Sequence, residues 1–169
     1  MAADFSELNQ FIIINISKQT LTFFQNEKAV LTFFISSATN GTGQEFGSEK
    51  TPLGKHIVRA KIGTNLPINA VLQGRRYTGE IYNSRLAKQF PHRDWILSRI
   101  MWLSGTEVGK NRLGVVDSMR RYIYIHGTPD TEPMGVAASH GCIRMRNQDL
   151  IQLYDQVRPG CSVNILKSN

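Results

Sequence analysis

The sequence predicts a mainly β fold, a sandwich or barrel-like pair of sheets carrying one packed helix. Three observations predict it. Short runs rich in Ile, Val, Thr and Phe recur between turn-forming residues. Only the stretch 147–157 holds a sustained helical period of apolar residues. The chain has 169 residues, 41% of them hydrophobic and 20% charged, with no internal repeat and no break in composition. That is the size and balance of one domain with its own core, so 1–169 reads as a single domain.

The elements follow in order. Residues 11–16, 20–25 and 28–36 are separated by Ser17-Lys18-Gln19 and Asn26-Glu27, which suit tight turns, and form a three-stranded antiparallel meander. A loop over 38–51 carries Gly41, Gly43 and Gly47, and Thr51-Pro52-Leu53-Gly54 leads into a strand at 55–62. From 63 to 91 the period is lost, apart from a short helix at 84–89; a stretch of this length reads as a lid or binding loop. Residues 96–103 and 121–126 return to strand character. Asn147 is placed to cap the main helix, Asp149 sits in its positive first turn, and Leu150, Ile151, Leu153, Tyr154 and Val157 make its apolar stripe. Pro159-Gly160 stops the helix, and 162–166 reads as a closing strand.

The net charge is +7, and it is uneven. Residues 55–121 hold 13 basic and 4 acidic side chains, whereas the flanking segments are near neutral or slightly acidic. An anionic ligand would meet this segment. Its basic residues stand singly or in pairs (Arg75-Arg76, Arg120-Arg121) and no nucleic-acid motif accompanies them, so nucleic acid is not the expected partner. The segment reads either as a solvated basic face or as a site for a small polycarboxylate, with those four arginines as the candidates. The longest apolar run, at 11–14, is too short for a membrane span or a signal peptide. Membrane insertion is therefore not expected, and the expected location is the cytoplasm, or the periplasm if a leader once preceded Met1.

Two stretches carry chemistry. In Tyr122-Ile123-Tyr124-Ile125-His126-Gly127-Thr128 a histidine ends a strand, and Ser139-His140-Gly141-Cys142-Ile143-Arg144 presents a thiol among basic residues. A thiol attacks as thiolate and needs a base or a positive field beside it. The amides of Gly141 and Cys142 are placed to meet a developing oxyanion. Each residue also has a plainer reading: Cys142 as core, His126 as the partner of a loop carbonyl, Arg144 as an ion-pair residue. His126, His140 and Cys142 could together bind zinc, but they lack a second ligand pair, and no metal is expected. Cys161 follows the Pro-Gly stop with no basic neighbour and reads as structural.

In their order and spacing, His126-Gly127-Thr128 and Ser139-His140-Gly141-Cys142-Ile143-Arg144 resemble the signature of the L,D-transpeptidase catalytic domain family (YkuD-like). The strand meander, the Asn40-Gly41-Thr42-Gly43 loop and Thr51-Pro52-Leu53-Gly54 extend the resemblance over nearly the whole chain, while 63–104 matches no pattern of the family. The resemblance implies a β-sandwich of that type with a long lid-like insertion. It implies cleavage after the L-centre of the third residue of a peptidoglycan stem tetrapeptide or muropeptide, releasing D-alanine through an acyl-enzyme and without a cofactor. Cys142 would be the nucleophile and His126 the base, held by the Gly127 carbonyl. Gly141 would lie at the oxyanion, Arg144 would hold the loop or meet a carboxylate, and Ser139 and His140 would shape the loop or border the substrate. A carbapenem is expected to acylate Cys142. Certain signal-less, single-domain members of the family are L,D-carboxypeptidases of peptidoglycan recycling, and this chain resembles them. The alternatives are a periplasmic L,D-transpeptidase that forms cross-links and a non-catalytic wall-fragment binding protein; intact Cys142, His126 and Arg144 argue against the last.

Overall fold

In the structure, a computed structural model describing residues 9–168, ten strands form one strongly curled sheet. The start of the chain, on which the expected location rests, lies outside the described residues. Strands β1 (Gln10–Asn15), β2 (Thr20–Gln25) and β3 (Lys28–Phe34) make the expected antiparallel meander. The last strand, β10 (Ser162–Leu166), runs parallel to β1, and β4 (Gly54–Ile62) pairs with its other side. Next come β7 (Ile96–Gly105), β8 (Tyr124–Thr128) and β9 (Ile143–Arg146), with β8 and β9 parallel. Ser36, two residues past β3, exchanges both backbone bonds with Arg144 of β9, so the sheet curls round to meet its own first edge.

The alternation of β8 and β9 sorts their side chains. Ile123, Ile125, Ile143 and Met145 enter the main core with Ile12, Leu21, Phe23 and Val163. Tyr124, His126, Cys142 and Arg144 take the other face. Helix α2 (Asn147–Gln156) covers the core with Leu150, Leu153 and Tyr154, as its apolar stripe predicts. Cys161 lies in the same core.

Three expectations are corrected. The segment read as a lid-like insertion contains a hairpin, β5 (Ala70–Gln73) and β6 (Arg76–Ile81), and helix α1 (Ser84–Gln89). β5 pairs with the start of β7, so this segment extends the sheet. The strand placed at 121–126 begins only at Tyr124, because Tyr122 turns through a left-handed φ of 55° after the 117–121 turn. Finally, Asn147 is not the cap. Arg146 occupies the cap position without a side-chain bond. The buried Asn147 amide donates to the Thr128 carbonyl (2.9 Å) and to Asn69 Oδ1 (3.1 Å), and its Oδ1 accepts from Ser98 Oγ (2.7 Å).

That amide pins the bulged start of β7 to the end of β8, and it needs Gly127 beside it. A Cβ at 127 would collide with Asn147 Oδ1 and the Leu97 carbonyl. Removing the amide leaves several buried polar groups unpaired, each costing on the order of 1–3 kcal/mol. Asn147→Ala is expected to lower the unfolding free energy by about 3 kcal/mol in urea titration. A loss below about 1 kcal/mol would mean that other contacts hold β8 in place.

Candidate active site

The site grows from the parallel pairing of β8 and β9. His126 stands opposite Arg144, and Cys142, just ahead of β9, lies on the same face. The Cys142 thiol donates to the Tyr122 carbonyl (3.3 Å), and its sulfur accepts from the Tyr124 amide (3.4 Å). Cys142 and the entry to β8 are therefore locked together by backbone groups. Cys142 packs against the buried cluster of Leu72, Ile100 and Tyr124, while the residue keeps part of its surface open to solvent. Desolvation pushes the thiol up to about 12, against the Tyr124 N–H and the positive charges of Arg144 and Arg121, which favour the thiolate. At neutral pH Cys142 therefore rests as a neutral thiol.

His126 is buried, with Nδ1 2.7 Å from the Gly127 carbonyl. A carbonyl only accepts, so Nδ1 carries the proton and Nε2 is the basic nitrogen. Burial lowers the pKa of His126, so the ring is a neutral base throughout the neutral range. A neutral thiol and a neutral imidazole suit attack in which the base takes the S–H proton as the S–C bond forms.

The turn that presents Cys142 is cross-braced. Ser139 Oγ donates to the Cys142 carbonyl (2.6 Å) and accepts the Gly141 amide (3.2 Å). Thr51, from the Thr-Pro-Leu-Gly motif, donates to the Gly141 carbonyl (2.9 Å) and accepts the Ala38 amide (3.0 Å). Gly141 has a φ of 132°, open to glycine and strained for other residues. The expected pair of oxyanion amides is thus corrected: the Gly141 N–H is spent on Ser139, and the Cys142 N–H meets no acceptor among the described residues. Ser139 is buried with its hydroxyl used inside the turn, so it shapes the loop and does not border substrate.

The basic candidates have separate fates. Arg144 is buried and holds the 130–138 loop, donating to the Ala138 carbonyl (3.0 Å) and pairing with Asp94 (2.9 Å) and Glu132 (3.5 Å). Asp94, which no sequence signal marked, also faces the exposed ring of His140 at 3.7 Å. Arg121 was expected to bind substrate. Instead its guanidinium donates to the carbonyls of Gly43, Gln44 and Lys50 and to Ser48 Oγ, so it clamps the Gly-rich loop. Arg76 and Arg120 are exposed. Arg75 is half-buried and donates to Tyr124 Oη (3.0 Å). Two cavities of about 260 Å³ flank the Cys142 turn and share His140 as a wall. One contains Asp94, Glu132 and Arg144; the other is bounded by Phe46, Glu49, Arg121 and Tyr122. No cluster of potential metal ligands occurs among the described residues.

A profile of the YkuD L,D-transpeptidase catalytic domain matches residues 9–165. The chain belongs to that family. A probable L,D-transpeptidase of Escherichia coli K12, YcfS, is 43% identical over 44 residues, covering 26% of this chain and 14% of the relative. Among solved structures, an L,D-transpeptidase from Mycobacterium smegmatis superposes with a TM-score of 0.57 at 17% identity, covering 94% of this chain and 59% of that one. The L,D-transpeptidase LdtMt1 bound to imipenem gives 0.57 at 18% identity, covering 94% and 59%. An avibactam carbamoyl enzyme, Ldtfm, gives 0.59 at 18%, covering 96% and 51%. These structures share the fold. The chain spans somewhat over half the length of each of them, and a much smaller part of YcfS.

For this family member, the acid limb of kcat/KM should reflect His126. Burial depresses its pKa, so the protonated, inactive form accumulates only below the ordinary value of 6.5, and activity should hold level from there into the alkaline range. No thiolate absorbance step at 240 nm is expected across the neutral range, because burial pushes the Cys142 thiol up to about 12. A rate that climbs with a thiol ionisation near pH 8 would contradict this reading. His126→Ala should cost roughly two to four orders of magnitude in rate. His140→Ala should cost much less, and Cys161→Ala should keep most of the activity.

Proposed function

We propose that this chain is a cysteine L,D-carboxypeptidase acting on peptidoglycan stem tetrapeptides or muropeptides. The observation that carries the reading is one sheet face that holds both the Cys142 thiol, locked to the Tyr124 amide, and a buried, tautomer-fixed His126 two residues further along β8. The scissile bond joins the L-centre of the third residue, usually meso-diaminopimelate, to the terminal D-alanine.

Cys142 Sγ attacks the carbonyl carbon as its proton, which at rest points to the Tyr122 carbonyl, swings away and passes to His126 Nε2. The Cys142 N–H supports the oxyanion that forms. Collapse of the tetrahedral adduct breaks the C–N bond; His126 returns the proton to the departing amine, and D-alanine leaves. A thioester remains on Cys142. Water then gives a proton to His126 and attacks the thioester, and the sulfur leaves with that proton as a thiol. Atoms and charge balance with one water consumed and no cofactor.

Water as acceptor is favoured by the openness of the thiol's flank, where Tyr122 is 54% exposed and His140 stands in solvent. A transpeptidase must instead exclude water and hold a second peptide. One observation favours that second reading: the cavity between Phe46 and Tyr122 gives a second, amine-bearing peptide a place across His140 from the first. In either case we propose that a carbapenem acylates Cys142 by opening its strained ring, as the imipenem complex of LdtMt1 suggests. We also propose that the reaction serves recycling of released stems in the cytoplasm.

Incubation with a monomeric disaccharide-tetrapeptide, followed by mass analysis, separates the two readings. Hydrolysis predicts loss of one alanine and no dimer even at high substrate. Abundant cross-linked dimers would overturn it in favour of transpeptidation.

A further inference from the structure

The β5–β6 hairpin turns through Gly74 and Arg75 between the paired residues Gln73 and Arg76. Both central residues have left-handed φ values, 54° and 62°, as the two-residue turn with matching twist requires. Glycine or asparagine is the natural second residue of such a turn; an arginine there carries backbone strain. It is held by its side chain. The guanidinium lies 4.4 Å over the Trp102 ring and 5.2 Å over the Tyr122 ring, and Nη1 donates to Tyr124 Oη at 3.0 Å.

Those three aromatic residues belong to the nucleophile's own surroundings. Tyr122 and Tyr124 supply the two backbone groups that touch Cys142 Sγ, and Trp102 packs in the same cluster. Tyr124 thus links the two groups, its amide meeting the sulfur and its hydroxyl meeting the guanidinium. The other arginines near the site are committed: Arg144 to Asp94 and Glu132, Arg121 to the Gly-rich loop. Arg75 meets no carboxylate among the described residues, and its Nη2 edge makes no hydrogen bond there.

We infer that Arg75 is the receptor for the free terminal carboxylate of the substrate, the group that lies one residue beyond the carbonyl attacked by Cys142. That carboxylate lies roughly 3.8 Å, one residue length, beyond the attacked carbonyl, so it extends from Cys142 toward the guanidinium at the far end of Tyr124. The aromatic platform holds the fork in one orientation and lowers the entropy lost on binding. This inference rests on the carboxypeptidase reading and explains a preference that reading requires: a stem ending in a free D-alanine is taken, and one continued or capped beyond that point is disfavoured.

The test compares a tetrapeptide ending in free D-alanine with the same peptide ending in D-alaninamide. Binding is measured by calorimetry on Cys142→Ala, alone and combined with Arg75→Gly or Arg75→Lys; glycine suits the turn, so folding is retained. With Arg75 present, the free acid should bind roughly 10- to 100-fold more tightly than the amide, and less so at high salt. Arg75→Gly should abolish that ratio by weakening the acid alone, and Arg75→Lys should restore part of it. An unchanged ratio in Arg75→Gly, or no preference for the acid with Arg75 present, would overturn the assignment. Turnover of both peptides by the chain with Cys142 intact is followed in parallel. Absence of alanine release there would overturn the carboxypeptidase reading, while the binding ratio still decides the role of Arg75.

Discussion

The parallel pairing of β8 with β9 is the constraint on which the site depends. It joins segments brought together by a connection that includes the 129–138 loop, and its register sets His126 opposite Arg144 and brings the Tyr124 amide onto the Cys142 sulfur. A slip of one residue would exchange Ile125 and Ile143 for His126 and Cys142 in the core. Three braces oppose that slip. Ser36 pairs with Arg144 from the outer side, Thr51 holds the Gly141 carbonyl, and Asn147 ties Thr128 to the bulge of β7. The Thr-Pro-Leu-Gly and Ser-His-Gly-Cys motifs, 90 residues apart at Thr51 and Gly141, are thus two halves of one structural joint.

Burial sets the resting charge of Cys142 and His126, the pair proposed for catalysis. Desolvation raises the thiol and lowers the imidazole, so neither ionises at neutral pH. An ion pair of thiolate and imidazolium would gain more from neighbouring charges but would need them closer and less spent. Here Arg121 serves the Gly-rich loop, and Asp94 and Glu132 offset the charge of Arg144. The catalytic demand then falls on geometry: one fixed tautomer, one uncommitted amide and a sulfur held between two backbone groups.

Much of this was legible in the sequence. The meander, β4, β7, the helix and the closing strand carry strong apolar patterns because one face of each meets the core. The hairpin β5–β6 is hard to read because β5 has only four residues and β6 is a mostly exposed edge strand broken by Gly79. The alternation Tyr122-Ile123-Tyr124-Ile125-His126 held a signal left unused: residues two apart share a face, so Tyr124 belongs with His126. Asp94 and the inward turn of Asn147 had no such signal. A lone aspartate after a short helix looks like any other, and an asparagine ahead of a helix is most simply a cap. Composition put Arg75 and Arg121 in one basic segment, but their partners, an aromatic platform and four loop oxygens, are set by tertiary contacts.

The central claim is that the stem peptide passes through a thioester on Cys142. Rapid quenching of the protein after mixing with tetrapeptide, with intact-mass measurement and peptide mapping, observes it directly. The account predicts a transient adduct of tripeptide mass on the peptide containing Cys142, formed as alanine is released and lost as tripeptide appears. Alanine released while Cys142 stays unmodified at every time point, or an adduct mapped to Cys161, would contradict it.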